Sequence, residues 1–248
     1  MLDLILPDWT APKNVRACTT TRRGGFSQFP YDSFNLADHV GDMAEMVAKN
    51  RALLQAELAL PSAPIWLQQV HGIQAISAIM ANQNCCADAV YTDQVGQVCV
   101  VMTADCLPVL FCDKAGTRVA AAHAGWRGLA AGVLEHTVKT LAPSPPQEIL
   151  AWLGPAIGAQ AFEVGEEVRE TFVAHSPQAA QAFTATRSQH WLADLYLLAR
   201  QRLQHLGVQE IFGGNHCTYT DSDRFYSYRR DKTTGRMATL IWLEAQTQ

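Results

Sequence analysis

Nowhere in the 248 residues does an apolar run reach the roughly 20 residues needed to cross a bilayer. The opening segment, MLDLILPDWTAPK, is apolar only from Leu2 to Leu6 and carries Asp3, so it is too short and wrongly charged for an export signal. An excess of one charge is missing too: 19 Lys and Arg face 23 Asp and Glu, a net of −4, which excludes a basic footprint for nucleic acid. The seven cysteines are odd in number and show no CxxC spacing, which predicts reduced thiols in a cytoplasmic protein. There is no GxGxxG fingerprint, no internal repeat, no low-complexity tract and no linker long enough to separate a pair of domains. Strands and helices do not alternate strictly, which speaks against a doubly wound parallel sheet.

What is present is ordinary for a globular chain: 48% hydrophobic and 17% charged residues, enough to bury a real core. We expect one α+β domain over residues 1–248, with mixed β-sheets layered with helices. Its partner is expected to be a small-molecule substrate rather than a nucleic acid or a membrane. Strands are predicted at 15–21, 65–70, 73–79, 98–103, 119–122, 149–153, 208–212, 225–228 and 237–243. A helix should start at Asp42, where Glu45 completes a capping box, and end before Pro61. Further helices are expected at 129–141, around Val164, Val168 and Phe172, and from an Asp194 cap to Gly207.

Chemistry concentrates in residues 101–128, VMTADCLPVLFCDKAGTRVAAAHAGWRG. The first apolar run there delivers Asp105 and Cys106; the second delivers His123, followed by the turn Ala124-Gly125. His71 closes the run 65–70 in WLQQVHG. His71, Cys106 and His123 are thus three soft or borderline donors, each at the end of a predicted strand. Three protein ligands with a fourth position open is the pattern of a catalytic zinc site. Such a site supplies a nucleophile or a polarising Lewis acid. The spacings, 35 and 17 residues, match no short-range metal motif. A rival reading makes Cys106 a thiolate nucleophile with a histidine base, which leaves His71 without a role. Asp105 is either a turn-forming residue or one that orients a ligand or moves a proton.

Basic residues form a second set. Arg22, in Arg22-Arg23-Gly24-Gly25, stands where an anion cradle or a plain hairpin turn is possible. The stretch YRRDKTTGR holds Arg229, Arg230 and Arg236, a solvated loop or a binder of phosphate or carboxylate. Arg127 lies four residues after His123. His39, in the polar loop 35–42, is the remaining histidine of interest.

The motifs WLQQVHG, TADCLPVLF, AAHAGWRG, LGPAIG-x4-EVG and CTYT with FYSYRRDKTTGRMA resemble the YfiH family, also known as laccase-domain or polyphenol oxidase proteins. The likeness runs from Thr19 to Trp242. It implies a zinc site on His71, Cys106 and His123, with copper as the alternative occupant, and a layered α+β fold grouped with toxin-type cysteine hydrolases. It also implies phosphorolysis of purine nucleosides (adenosine, inosine and methylthioadenosine), with adenosine deamination beside it. The catalytic set would be Cys106, His71, His123 and Asp105, and phosphate would fall to Arg22, Arg127, Arg229 and Arg230. Copper-dependent phenol oxidation and editing of peptidoglycan precursors are the family's other attributed activities. A laccase needs several coppers, whereas the chain has eight histidines and no HxH pair, so phenol oxidation reads as a side activity. A metal-stabilised binding module without turnover is the non-enzymatic alternative.

Overall fold

A computed structural model describes residues 2–245 apart from 82, 84 and 143. In chain order it contains β1 (Leu4–Ile5), β2 (Val15–Thr20), α1 (Ala44–Glu57), β3 (Ala75–Ser77), β4 (Ala89–Thr92), β5 (Val98–Thr103), β6 (Leu107–Asp113) and β7 (Val119–Ala124). There follow α2 (Trp126–Ala131), α3 (Val133–Thr140), β8 (Ile149–Leu153), β9 (Glu163–Gly165), α4 (Glu166–His175), β10 (Phe183–Arg187) and β11 (His190–Ala193). The last elements are α5 (Leu195–His205), β12 (Glu210–Gly213), α6 (Tyr228–Asp231) and β13 (Met237–Leu243).

One sheet, β1-β2-β13-β5, is antiparallel throughout. A six-stranded sheet, β12-β8-β6-β7-β4-β3, is parallel at both edges and antiparallel between them. A small sheet, β10-β11-β9, completes the set, so the expected α+β class with mixed sheets holds.

Alternation along each strand sorts the side chains into layers. Cys99 and Val101 of β5 and Ile241 of β13 pack on Leu110 of β6 and Ala121 of β7, filling the space between the two large sheets. Val98, Val100 and Met102 turn the other way, against Leu54 of α1 and the buried Phe34, Leu36 and Trp66. On the far face of the six-stranded sheet, Val109 and Phe111 meet Leu134 of α3 and Leu198 of α5. Each of the Val, Leu, Ile, Phe and Met side chains among these contributes roughly 1.5–3 kcal/mol by leaving water.

Several elements differ from expectation for identifiable reasons. Residues 65–70 do not form a strand and make one bridge, Gln68 to Cys86. Their partner edge, β5, is closed by a side chain instead: the Gln69 amide accepts from Met102 N at 2.7 Å and donates to Met102 O at 2.8 Å. Residues 225–228 are not a strand either; Phe225 and Tyr226 are buried in a connection that leads into α6. Residues 107–113 form β6 despite Pro108, which sits near the strand's start. The predicted helix 129–141 is two helices, because Gly132 takes φ 106° between α2 and α3. Asp42 does not cap α1, since its carboxylate is occupied by Ser27, Asn35 and the Met43 N–H. Val164 belongs to β9 rather than to α4. The hairpin β10-β11, mostly exposed on its first strand, has no counterpart among the expected elements.

Candidate metal centre

The two large sheets deliver two of the three donors. After β5 ends at Thr103, a tight turn through Asp105 (φ 91°) presents Cys106 just before β6 begins. His123 is the penultimate residue of β7, on the same face as Val119 and Ala121, and is 3% exposed. His71 comes from the irregular segment beyond Gln69, with φ 59°, and is exposed. One of the three donors therefore does not sit at a strand end.

The three donor atoms lie within 4.8 Å of one another. Cys106 Sγ is 3.7 Å from His71 Nε2, and the two imidazoles stand edge to face with centroids 4.8 Å apart. Ligand bonds of about 2.3 Å to sulfur and 2.0–2.1 Å to nitrogen at a tetrahedral angle place two such donors roughly 3.6 Å apart. The Cys106–His71 pair thus stands at the spacing zinc needs, and two imidazoles with a thiol are donors that suit it. His123 is buried, Cys106 half-buried and His71 exposed, and all three line one cavity.

What orients the donors is Asp88, a residue outside the expected site set. It is 0% exposed. His123 Nδ1 donates to Asp88 Oδ1 at 2.8 Å, which leaves Nε2 for a metal. The same carboxylate accepts the backbone N–H of Val70 (3.2 Å), His71 (2.9 Å) and Gly72 (2.6 Å). One buried anion therefore aims one histidine through its ring and the other through its main chain. Burial pushes this carboxyl up, yet the His123 bond and charge and the backbone donors outweigh burial and hold it below its usual range. The signal for it in the chain is an acid between two alanines, Ala87-Asp88-Ala89, at the head of a strand.

Asp105, in the turn that presents Cys106, also fastens two distant segments to the site. Its carboxylate accepts Thr218 Oγ1 at 2.7 Å and Arg229 N at 2.6 Å, which ties the CTYT loop and α6 to the site. Cys106 and His123 shift each other's titration in opposite directions. Burial raises the thiol, but the His123 charge and the bonds from both imidazoles bring it down to about 6. Burial lowers His123, and the Cys106 charge, with Asp88, lifts it to about 9.

A cavity of about 490 Å³ opens over the three donors, with Trp126, Phe162 and Tyr228 in its wall. Arg127, Arg229, Lys232 and Arg236 line it, and His39 stands in the same lining. Burial lowers the Arg236 guanidinium from the ordinary arginine value. Arg22 and Arg230 are placed elsewhere, in a cavity of about 960 Å³.

A family model described as multi-copper polyphenol oxidoreductase laccase matches residues 16–244. A protein of Escherichia coli K12 named purine nucleoside phosphorylase YfiH is 58% identical over 98% of this chain and 100% of its own length. A purine nucleoside phosphorylase of Pseudomonas aeruginosa is 54% identical over 97% and 98%. The chain belongs to the YfiH family. The crystal structure of a Neisseria meningitidis protein superposes on it with a TM-score of 0.94 at 51% identity, covering 98% of this chain and 99% of that one. The structure of YlmD from Geobacillus stearothermophilus gives 0.88 at 30% identity, covering 94% and 93%.

Within this YfiH fold the glycine of AAHAGWRG acquires a reason. A Cβ on Gly125 would lie 2.8 Å from His71 Cδ2 and 2.9 Å from Cys106 Sγ. Only a bare backbone can pass that close to two donors. Gly125→Ala is expected to displace both and to weaken metal binding at least about tenfold, the lower end of the loss seen when ligand orientation is disturbed. A competition titration with a chromogenic chelator checks this, with circular dichroism confirming the fold.

Proposed function

We propose that this YfiH-family chain is a zinc-dependent purine nucleoside phosphorylase of the cytoplasm, acting on adenosine, inosine and methylthioadenosine, with adenosine deamination as a side reaction. One observation carries the reading: the His71–Cys106–His123 cluster faces a cavity that also holds aromatic faces and cationic side chains. In phosphorolysis a phosphate oxygen bonds to C1′ of the sugar while the C1′–N9 bond breaks. The bond electrons stay on the base, which takes a proton, and the products are free purine and a pentose 1-phosphate. Zinc, when bound, supplies a Lewis acid that stabilises developing negative charge or activates water for deamination. Trp126, Phe162 and Tyr228 give the cavity an aromatic wall that suits a purine and carry the cations on their rings, and those cations hold phosphate at the sugar. His71, the exposed donor, is the ligand nearest to solvent and so to an entering base.

Two observations weigh against the alternatives. Among the described residues one group of three donors can hold a metal, whereas multi-copper oxidation needs several such centres. His71 also sits in the cluster with Cys106 and His123, where a thiol hydrolase would give it no role. No helix among the described residues is long and apolar enough to cross a membrane.

The test is release of free purine from adenosine and inosine, with and without phosphate, by protein of measured metal content. Release should require phosphate and fall at least about 100-fold in His71→Ala, since a lost ligand costs more than the 10- to 100-fold of a lost orienting partner. Absence of release from protein carrying one zinc per chain overturns the reading.

A further inference from the structure

The cavity over the donors has a charge pattern that the larger one lacks. Arg127, Arg229, Lys232 and Arg236 line it with no Asp or Glu among them. The larger cavity sets Arg22, Arg23 and Arg230 against Asp32, Asp223 and Asp231.

The two sets also differ in which donors are free. Arg22 spends Nε, Nη1 and Nη2 on Asp32 and the Ser222 carbonyl. Arg230 spends the same three nitrogens on Asp231 and on the carbonyls of Thr218, Tyr219 and Phe225. These guanidinium groups are structural ties. Arg127 lies over the Trp126 ring at 4.4 Å and makes no hydrogen bond or ion pair among the described residues. Lys232 lies 5.6 Å and Arg236 6.0 Å from the Tyr228 centroid, and Arg236 commits Nη1 alone, to the carbonyls of Thr234 and Gly235. Stacking on a ring holds a cation in place without using its N–H donors. Forked donors without acceptors call for an anion with several oxygens.

The geometry points to an oxyanion subsite formed by Arg127, Arg236 and Lys232 that takes inorganic phosphate beside the metal ligands. It rests on the phosphorylase reading for the identity of the anion as free phosphate. A nucleotide's phosphoryl group has the same chemistry, so the two sources are separated by experiment. Arg229 stays outside the subsite because it ties distant segments together, its backbone N–H donating to Asp105 and its Nη1 to the Glu163 carbonyl of β9, whereas Arg236 Nη1 meets only the carbonyls beside it in the chain.

The experiment is calorimetric titration of inorganic phosphate into metal-loaded wild type, Arg127→Gln, Lys232→Gln and Arg23→Gln. Arg127 carries no structural hydrogen bond, so its variant tests the subsite without unsettling the fold. Phosphate affinity should fall about 10- to 100-fold in Arg127→Gln and severalfold in Lys232→Gln, while Arg23→Gln, in the other cavity, stays at wild type. Equal affinity in wild type and Arg127→Gln overturns the proposal, as does weaker binding in Arg23→Gln alone. Adenosine monophosphate is titrated beside adenosine. A gain in affinity from its phosphoryl group that depends on Arg127 assigns the subsite to a substrate phosphate and overturns the assignment to free phosphate. Purine release is measured on the same samples. Arg127-dependent phosphate binding without phosphate-dependent release keeps the subsite and removes the phosphorylase reading. Phosphate-dependent release with an unchanged KM for phosphate in Arg127→Gln does the reverse.

Discussion

Asp88→Asn should weaken metal binding by about 10- to 100-fold and destabilise the metal-free fold by roughly 3 kcal/mol. The carboxylate has two oxygens and four donors: His123 Nδ1 and His71 N on Oδ1, Val70 N and Gly72 N on Oδ2. An asparagine can offer acceptor character on one side only. In either orientation its NH2 group faces two N–H donors in a site that is 0% exposed. Each buried donor left unpaired costs about 1–3 kcal/mol. At this chain length that corresponds to a Tm lower by roughly 6–12 °C. The pH dependence follows from the direction of the wild-type shift. Asp88 is held below its unfolded value, so its contribution is fully present above about pH 4 and is lost as pH falls through the folded pKa. Denaturation in chelator should therefore show a constant gap between wild type and variant from about pH 5 to 7, narrowing below about pH 4. A gap that widened in acid would contradict the role given to this carboxylate.

The sequence foreshadows the donors better than the elements that carry them. Cys106 and His123 follow apolar runs that do become β5 and β7, because burial on both faces reads directly as continuous hydrophobicity. His71 ends the run 65–70, which is apolar enough to suggest a strand. Its backbone is instead held by long-range side-chain bonds, from Gln69 to Met102 and from Asp88 to residues 70–72. Periodicity carries no trace of such bonds, since the partners lie 33 and 16–18 positions away. The same limit hides Asp88 itself: a buried acid is unreadable until its four donors are known. The arginines show the converse. Its place just after His123-Ala124-Gly125-Trp126 already favours Arg127, but only the hydrogen bonds show Arg22 and Arg230 to be structural ties rather than free forks.

Replacing Cys106 by serine should abolish tight metal binding, with a loss above about 100-fold, and should also remove the proton released on metal uptake. In the metal-free protein Cys106 is drawn down to about 6 and His123 up to about 9, each by the other's charge against an opposing burial effect. Between those values the pair holds one proton, whether it is written as thiol and imidazole or as thiolate and imidazolium. A metal needs both groups deprotonated, so binding in that window must expel this proton. Affinity should accordingly rise about tenfold per pH unit across the window and level off above it. Serine cannot ionise in this range, and His123 then loses the charge that raised its pKa. It should titrate lower, restrained only by Asp88. Calorimetry in two buffers of different ionisation enthalpy reads the proton count directly: one for wild type near about pH 7.5, and close to none for any residual binding by Cys106→Ser. Equal proton release by both proteins would show that the exchangeable proton lies elsewhere, and the Cys106–His123 pair would lose its place as the acid–base unit of the site.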